Sequence, residues 1–521
     1  MWIPLLLRET QSGYLVVLLF VVAGVALYLR KLAVSHLPPS PPANFLIGHV
    51  LKMPPDYQWE TFASWGKNYG NILYIHIFGR PMIICNSFNV ARDLLEKRSH
   101  NYSDRPMMMS GEVLGLGTML LSLKYGDRWR KHRRIMQAAF DQQATVDFRT
   151  ATQAEVEAFV KSIVNFHGDI RHRIHRLVAA SLCMAAYGHK VTSDDDELIK
   201  NMEKVNDVSK TIGSPGSTLV DFFPFLQYVP SCFPGLRFPR LFAEGRKVTK
   251  IAFAAPVDLV RKDRDAGVQN QSFLARLVES IDCKEVKNTE EEEDAASLGA
   301  AAFFAGAETS DSVLYTFFLM LVLHPEVSER AREELDHFIN STQRLPDLTD
   351  RGLLPYIDCI VKEVYRIHPP VPLGVPHRSI EEDNYEGWTI PARSMIMTNI
   401  WQMMRDEQYF PEPERFLPER HMIYNTGEKA LGCQSDPSKI VFGFGRRICP
   451  GRFFADELIW LTIANVLSLF DVLPALDLRT GEQIIPKVEF TSGVLSTSKP
   501  YACRVVPRSS FHESMVNALA I

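Results

Sequence analysis

The chain has 521 residues, 46% hydrophobic and 23% charged, an ordinary globular composition with apolar material for one large core or two modest ones. A formal net charge of −4 leaves no bulk basic field of the kind nucleic-acid binders carry. Eight cysteines lie scattered without a CxxC pair, which argues against a disulfide framework or a paired zinc site and favours free thiols in a reducing compartment.

Gln11 to Leu29 carries no charge over 19 residues, close to the roughly 20 a helix needs to cross a bilayer core. Arg30 and Lys31 end the run and favour keeping the remainder of the chain on the cytoplasmic side. Residues 1–31 therefore read as a single-pass membrane anchor, and residues 32–50, with Pro38-Pro39-Ser40-Pro41-Pro42, as a stiff extended hinge ahead of one large domain over 51–521.

Ile72–Cys85, broken at Gly79-Arg80-Pro81, predicts a small hairpin, and Val90 to about Lys210 is mostly helical in pattern. Within it, Trp129-Arg130-Lys131-His132-Arg133 puts an indole and a guanidinium four residues apart on one helix face. The aromatic, proline-rich stretch Leu219–Leu241 has no helical period and reads either as a buried loop or as an apolar surface dipping into a bilayer.

The longest helix is predicted over 290–324, capped by Thr289, with Glu290–Asp294 at its positive end and Pro325 beyond it. At 1.5 Å per residue it spans roughly 50 Å, enough to cross a domain. Its apolar middle holds Ala305-Gly306-Ala307-Glu308-Thr309-Ser310. A glycine there costs about 1 kcal/mol against alanine, and an unpaired buried glutamate would be costly. Thr309 is placed to hydrogen-bond back to the Ala305 carbonyl. Glu363 and Arg366 share a helix face three residues apart, a commonplace pair by itself, closed by Pro369-Pro370.

Phe442-Gly443-Phe444-Gly445-Arg446-Arg447-Ile448-Cys449-Pro450-Gly451 leads into a helix predicted over Arg452–Asp471. A thiolate at a helix N-terminus is favoured by the partial positive charge there, and Gly445 and Gly451 allow tight turns. The segment is not a dinucleotide fingerprint, since Ile448 stands where a third glycine belongs.

This loop matches Phe-x-x-Gly-x-Arg-x-Cys-x-Gly and so resembles the haem-binding segment of the cytochrome P450 family; five fixed residues should recur by chance in roughly one chain in ten thousand of this length. The resemblance covers essentially the whole chain and looks most like fungal members of secondary metabolism. It implies a mainly helical fold with a small β region, preceded by the transmembrane helix, holding haem b between the long helix and the loop.

Under that resemblance Cys449 ligates the iron, Phe442 shields the sulfur, and Trp129, Arg133, Arg447 and His377 pair with haem propionates. Glu308 and Thr309 form the oxygen-activating acid–alcohol pair, with Gly306 making room for O2. Pro413-Glu414-Arg415-Phe416 resembles the segment whose arginine completes a Glu-Arg-Arg network, here Glu363, Arg366 and Arg415, that holds the loop in place. Phe303, Phe304, Ala307, Val371, Leu373, Val375 and Val494 are implied to line the substrate pocket. The implied reaction inserts one oxygen atom of O2 into a lipophilic small molecule such as a terpenoid or polyketide, at the endoplasmic reticulum membrane, with the catalytic domain cytosolic. Seventy-two residues follow Cys449, too few for a reductase domain, so electrons are expected from NADPH–cytochrome P450 reductase, which would dock on the basic run Arg128–Arg134 with Arg446 and Arg452. The rivals are an isomerase or dehydratase of the same fold, against which Glu308 and Thr309 argue, and a haem carrier or sensor without turnover. Asn101, Asn270 and Asn340 head glycosylation sequons that a cytosolic domain would leave bare.

Overall fold

The computed structural model describes residues 36–519 apart from 213–217, 231–237, 285–287 and 426–434, together with 19, 21, 22, 24 and 25. The expected anchor lies almost wholly outside the described residues. No described helix is long and apolar enough to cross a membrane. The few residues of it that are described are helical and exposed, among them Leu19 and Val22.

The long helix runs from Thr289 to Leu323, 35 residues, one position earlier than predicted. Its cap is Asn288 rather than Thr289: the Asn288 carboxamide accepts from the Glu290 N–H at 3.0 Å, and Thr289 is already helical. Asn and Thr both cap, and sequence spacing cannot rank neighbours. The helix stops at Leu323 because His324 precedes Pro325, which excludes helical backbone. Helices Arg171–Tyr187, Phe238–Asp265, Phe273–Asp282, Pro355–Ile367 and Arg452–Leu469 pack around it. All six contribute to one continuous apolar core.

A four-stranded sheet lies to one side, with spatial order Ile72–Ile77, Arg80–Cys85, Met395–Thr398, His377–Arg378. The predicted hairpin is present, but its turn is Phe78-Gly79, both with positive φ, while Arg80 and Pro81 already belong to the second strand. Ile77 and Arg80 close the two-residue loop, so Pro81 opposite His76 falls at a non-hydrogen-bonded position, and the neighbouring parallel strand pairs only from Met82 onward. The missing proline N–H is therefore never needed. A second sheet pairs Phe166–Gly168, Cys503–Pro507, Phe470–Leu476 and Gln483–Ile484. Its strand Phe470–Leu476 follows directly from the helix that opens at Arg452, which ends two residues earlier than predicted.

Of the stretch Leu219–Leu241, residues 231–237 lie outside the described residues and Phe238 onward opens helix Phe238–Asp265; the described part before them is neither a simple buried loop nor wholly apolar surface. It forms a short helical turn at Leu219–Phe222 and a 3-10 segment at Pro224–Tyr228. Phe222 and Phe223 pack on Phe78 of the hairpin turn, whereas Leu219, Phe225 and Tyr228 are exposed.

Candidate active site

The cysteine loop is held from three directions. Its own closure is the Cys449 N–H donating to the Phe442 carbonyl at 2.9 Å. Gly445 adopts φ +60°, and a Cβ there would lie 1.9 Å from the Leu95 carbonyl oxygen, so only glycine lets the loop press onto the segment Asp93–Lys97. Phe442 packs edge-on against Tyr365 of helix Pro355–Ile367, and Phe444 packs against Phe88. Burial pushes the Cys449 thiol pKa up; the Gly451 N–H, Arg133 and Arg452 oppose that by favouring the thiolate. Arg452 donates to the Cys449 carbonyl at 3.1 Å.

Around the loop gathers a set of buried and half-buried cations that no carboxylate among the described residues fully pairs. Arg447 spends its donors on the carbonyls of Ser103, Leu120 and Leu123, and its guanidinium stacks 4.4 Å above the Trp129 ring. Burial lowers its pKa to about 9. Arg105 is 5% exposed and donates to the carbonyls of Leu121, Val375 and Pro376; burial and the nearby Arg447 charge hold its pKa well below the usual value. His377 is buried in the same cluster, with Nδ1 donating to the Tyr102 carbonyl at 2.8 Å, and burial followed by the Arg105 charge keeps it neutral. Arg133 donates to the Ile448 carbonyl. Trp129 is 4% exposed, and its Nε1–H has no partner among the described residues. Buried Arg105 and half-buried Arg133 and Arg447, held by carbonyls beside an orphaned indole N–H, constitute a site built for an anion. They fit a haem: Trp129, Arg105, Arg133, Arg447 and His377 would hold its propionates, and Cys449 would ligate its iron. Four of these groups were expected from sequence; Arg105 was missed, since an arginine between Asp104 and Pro106 carries no motif.

The second group of expected residues lies on the middle of the long helix. Ala305 is exposed although it belongs to a core helix, and Thr309, one turn on, is half-buried, so this face borders open space. Thr309 Oγ1 donates to the Ala305 carbonyl at 2.8 Å, as anticipated. Glu308 pairs with Lys210 of helix Glu197–Ile212 at 2.5 Å. Two expectations about this helix need correction. Gly306 does not spend its missing side chain on the open face: a Cβ there would sit 3.0–3.1 Å from the Leu182 methyls, so the glycine admits helix Arg171–Tyr187. Phe303 and Ala307 have no exposure and face packed core, while Phe304 and Ala305 turn outward. Of the other expected lining residues, Val371 and Leu373 are half-buried and Val375 and Val494 are exposed.

The network under the loop also differs from expectation. Glu363 and Arg366 are fully buried and paired through two hydrogen bonds of 2.8 and 2.9 Å. The third member is not Arg415, whose side chain turns outward to exposed Glu412. Arg420 reaches Glu363 at 3.1 Å, His421 at 2.8 Å, and the Leu417 N–H at 2.8 Å; Arg415 contributes only its carbonyl, which accepts from Arg366. Burial opposes the Glu363 charge, but His421 and Arg366 overcome it and depress the carboxyl pKa to about 2.

A family model described as Cytochrome P450 matches residues 38–505. The chain belongs to the cytochrome P450 family. Cytochrome P450 monooxygenase 176 of Postia placenta is 36% identical over 507 residues, 97% of this chain and 96% of that one. Cytochrome P450 monooxygenase ple1 of Rhodocybe pseudopiperita is 33% identical over 514 residues, 98% and 97% of the two chains. Cytochrome P450 monooxygenase claT of Ampulloclitocybe clavipes is 34% identical over 491 residues, 94% and 95%. This P450 is thus a haem-thiolate monooxygenase whose curated relatives are fungal.

Proposed function

We propose that this P450 binds haem b through Cys449 and inserts one oxygen atom into a lipophilic secondary metabolite, with electrons from NADPH–cytochrome P450 reductase. The observation that carries the reading is the anion site of Trp129, Arg105 and Arg447 around the Cys449 loop. Bound haem supplies the redox chemistry of oxygen activation. The chain's own residues hold and orient it, exclude water and move protons. Thr309 Oγ1–H, fixed by the Ala305 carbonyl, is positioned to give a proton toward the open face, and Glu308 links it through half-exposed Lys210 to solvent. Phe304, Val371, Leu373, Val375 and Val494 border the substrate. Glu363, Arg366, Arg420 and His421 act structurally, fixing the loop's support.

Exposed Leu219, Phe225 and Tyr228 beside the hairpin turn, with exposed Phe45, Leu46 and Leu51 after the proline run 38–42, support a surface that meets the bilayer and admits apolar substrate. The basic groups Arg130, Lys131, Arg446 and Arg452 line the side of the loop on which the reductase is proposed to dock; a cleft of about 330 Å³ there includes Arg446 and Arg452. The proposed location is the endoplasmic reticulum membrane, residues 1–31 spanning it and 51–521 cytosolic. Asn101 and Asn270 spend their carboxamides on internal carbonyls, so Asn340 is the exposed sequon that reports topology. Microsomes carrying the chain and its reductase should consume NADPH with an apolar terpenoid or polyketide and yield a product heavier by one oxygen. Turnover without reductase would instead establish the isomerase or dehydratase reading.

A further inference from the structure

We propose that His175 and Asp311, on two packed helices behind the Glu308–Thr309 pair, form an inner proton store that refills that pair during turnover. The proposal rests on the relay reading of Glu308 and Thr309 given above. Glu308 and Asp311 are three residues apart and share one face of the long helix, turned from the open side toward helices Arg171–Tyr187 and Glu197–Ile212. Arg171 Nε reaches Asp311 Oδ2 at 3.3 Å, and Lys210 Nζ reaches Glu308 Oε1 at 2.5 Å. His175, one turn on from Arg171, places Nε2 2.8 Å from a Glu203 carboxylate oxygen. Asn206 and Lys210 lie on the same helix face as Glu203 by spacing.

Two features separate this cluster from an ordinary ion-pair network. First, it is incompletely satisfied: Asp311 Oδ1 and Asn206 Nδ2 are buried and have no hydrogen-bond partner among the described residues. Native structures pair such atoms, with ordered water where the protein supplies no partner. Second, side-chain exposure falls steadily inward, from 41% at Glu203 to 22% at His175 and 1% at Asp311, so the row leads from solvent to the core beside Glu308. The charges suit the task. Burial, tempered by Arg171 and His175 and reinforced by Glu308, pushes Asp311 up to about 6. Burial works against charge on His175, and Glu203, Asp311 and Glu308 together outweigh it, so its pKa is raised. On the remaining side Tyr501 and Tyr315 stay neutral, Tyr315 donating to Asp169.

One monooxygenation consumes O2, two electrons and two protons, giving one inserted oxygen atom and one water; the electrons come from reduced nicotinamide through the reductase. For each proton, Thr309 Oγ1–H gives up its hydrogen at the open face and takes one from Glu308. The Asp311 O–H bond then breaks, its proton passes through water to the Glu308 carboxylate, and the His175 imidazolium restores it. Glu203 and solvent reprotonate His175.

The test uses the full-length holoenzyme. Infrared pH titration should show a protonated-carboxyl band lost near pH 6, absent from Asp311→Asn and moved to higher pH in His175→Gln, which removes a cation favouring the carboxylate. With the reductase as donor, peroxide released per NADPH consumed should rise about threefold or more in Asp311→Asn and in His175→Gln, losing its dependence on pH through this window. No such band in the unaltered protein, or its persistence in Asp311→Asn, overturns the proposal. A band that behaves as expected with unchanged peroxide yield also overturns it, leaving Asp311 an ion-pair residue. Thr309→Ala separates the two readings: raised peroxide there with none in Asp311→Asn removes the proton store alone, whereas unchanged peroxide in Thr309→Ala removes the relay and the store together.

Discussion

Arg415→Ala and Arg420→Ala should behave oppositely although both arginines close a Pro-Glu-Arg tripeptide. Arg415 pairs with Glu412 in full solvent, where its loss leaves both groups hydrated, so stability should stay within measurement scatter. Arg420 is 8% exposed and touches a Glu363 that has no exposure at all. Removing one partner of a buried pair costs about 3–5 kcal/mol, because the other charge stays buried without compensation. Glu363 keeps Arg366 and His421, which places Arg420→Ala at the lower end, about 3 kcal/mol. The depression of Glu363 from 4.5 to about 2 gives a similar figure of about 3 kcal/mol for the whole network's hold on that carboxylate. Thermal loss of the thiolate-ligated carbonyl spectrum, followed at one scan rate, should come several degrees earlier for Arg420→Ala and unshifted for Arg415→Ala. Equal loss in both variants, or a silent Arg420→Ala, would refute the assignment of the third network member.

Because the Glu363 pKa is depressed on folding, its contribution is complete above about pH 4.5 and disappears as pH falls toward 2; Glu363→Gln should therefore be destabilised at neutral pH and lose acid sensitivity in that window, as read from unfolding at fixed temperature across pH. Gly445→Ala drives a Cβ into the Leu95 carbonyl at positive φ, so haem content of the purified protein should fall to near zero. Gly306→Ala meets only the side-chain ends of Leu182, so it should cost about 1–3 kcal/mol in melting experiments and be partly rescued by Leu182→Ala. Arg105→Ala should weaken haem retention in apomyoglobin competition more than Arg446→Ala, since Arg105 is buried in the anion site and Arg446 is exposed.

The parts of the fold with strong one-dimensional signals were readable from residues alone. Charge, proline and length delimited the long helix to within one residue at each end, and the Cys449 loop declared itself through the joint spacing of Phe442, Gly445, Arg447, Cys449 and Gly451. The errors share a cause: sequence order does not state which side of an element faces what. Helical phase decided that Ala305 and Phe304, rather than Phe303 and Ala307, look onto open space. Gly306 is small for Leu182, a residue 124 positions away whose position no local pattern reveals. Arg415 and Arg420 lie in tandem copies, Pro413-Glu414-Arg415 and Pro418-Glu419-Arg420, and only the backbone path after Phe416 turns the second toward Glu363. Arg105 carries no motif; its meaning comes from burial beside Arg447 and from the absence of a carboxylate partner for its guanidinium, both tertiary facts.

Sulfur–iron ligation at residue 449 is the claim on which the proposed chemistry depends most. Protein purified with haem, reduced and exposed to carbon monoxide, should give the red-shifted spectrum of thiolate ligation, and Cys449→Ser should abolish that spectrum while the fold, followed by circular dichroism, persists. A variant that retained the unaltered carbonyl spectrum, or an unaltered protein that bound no haem, would contradict it.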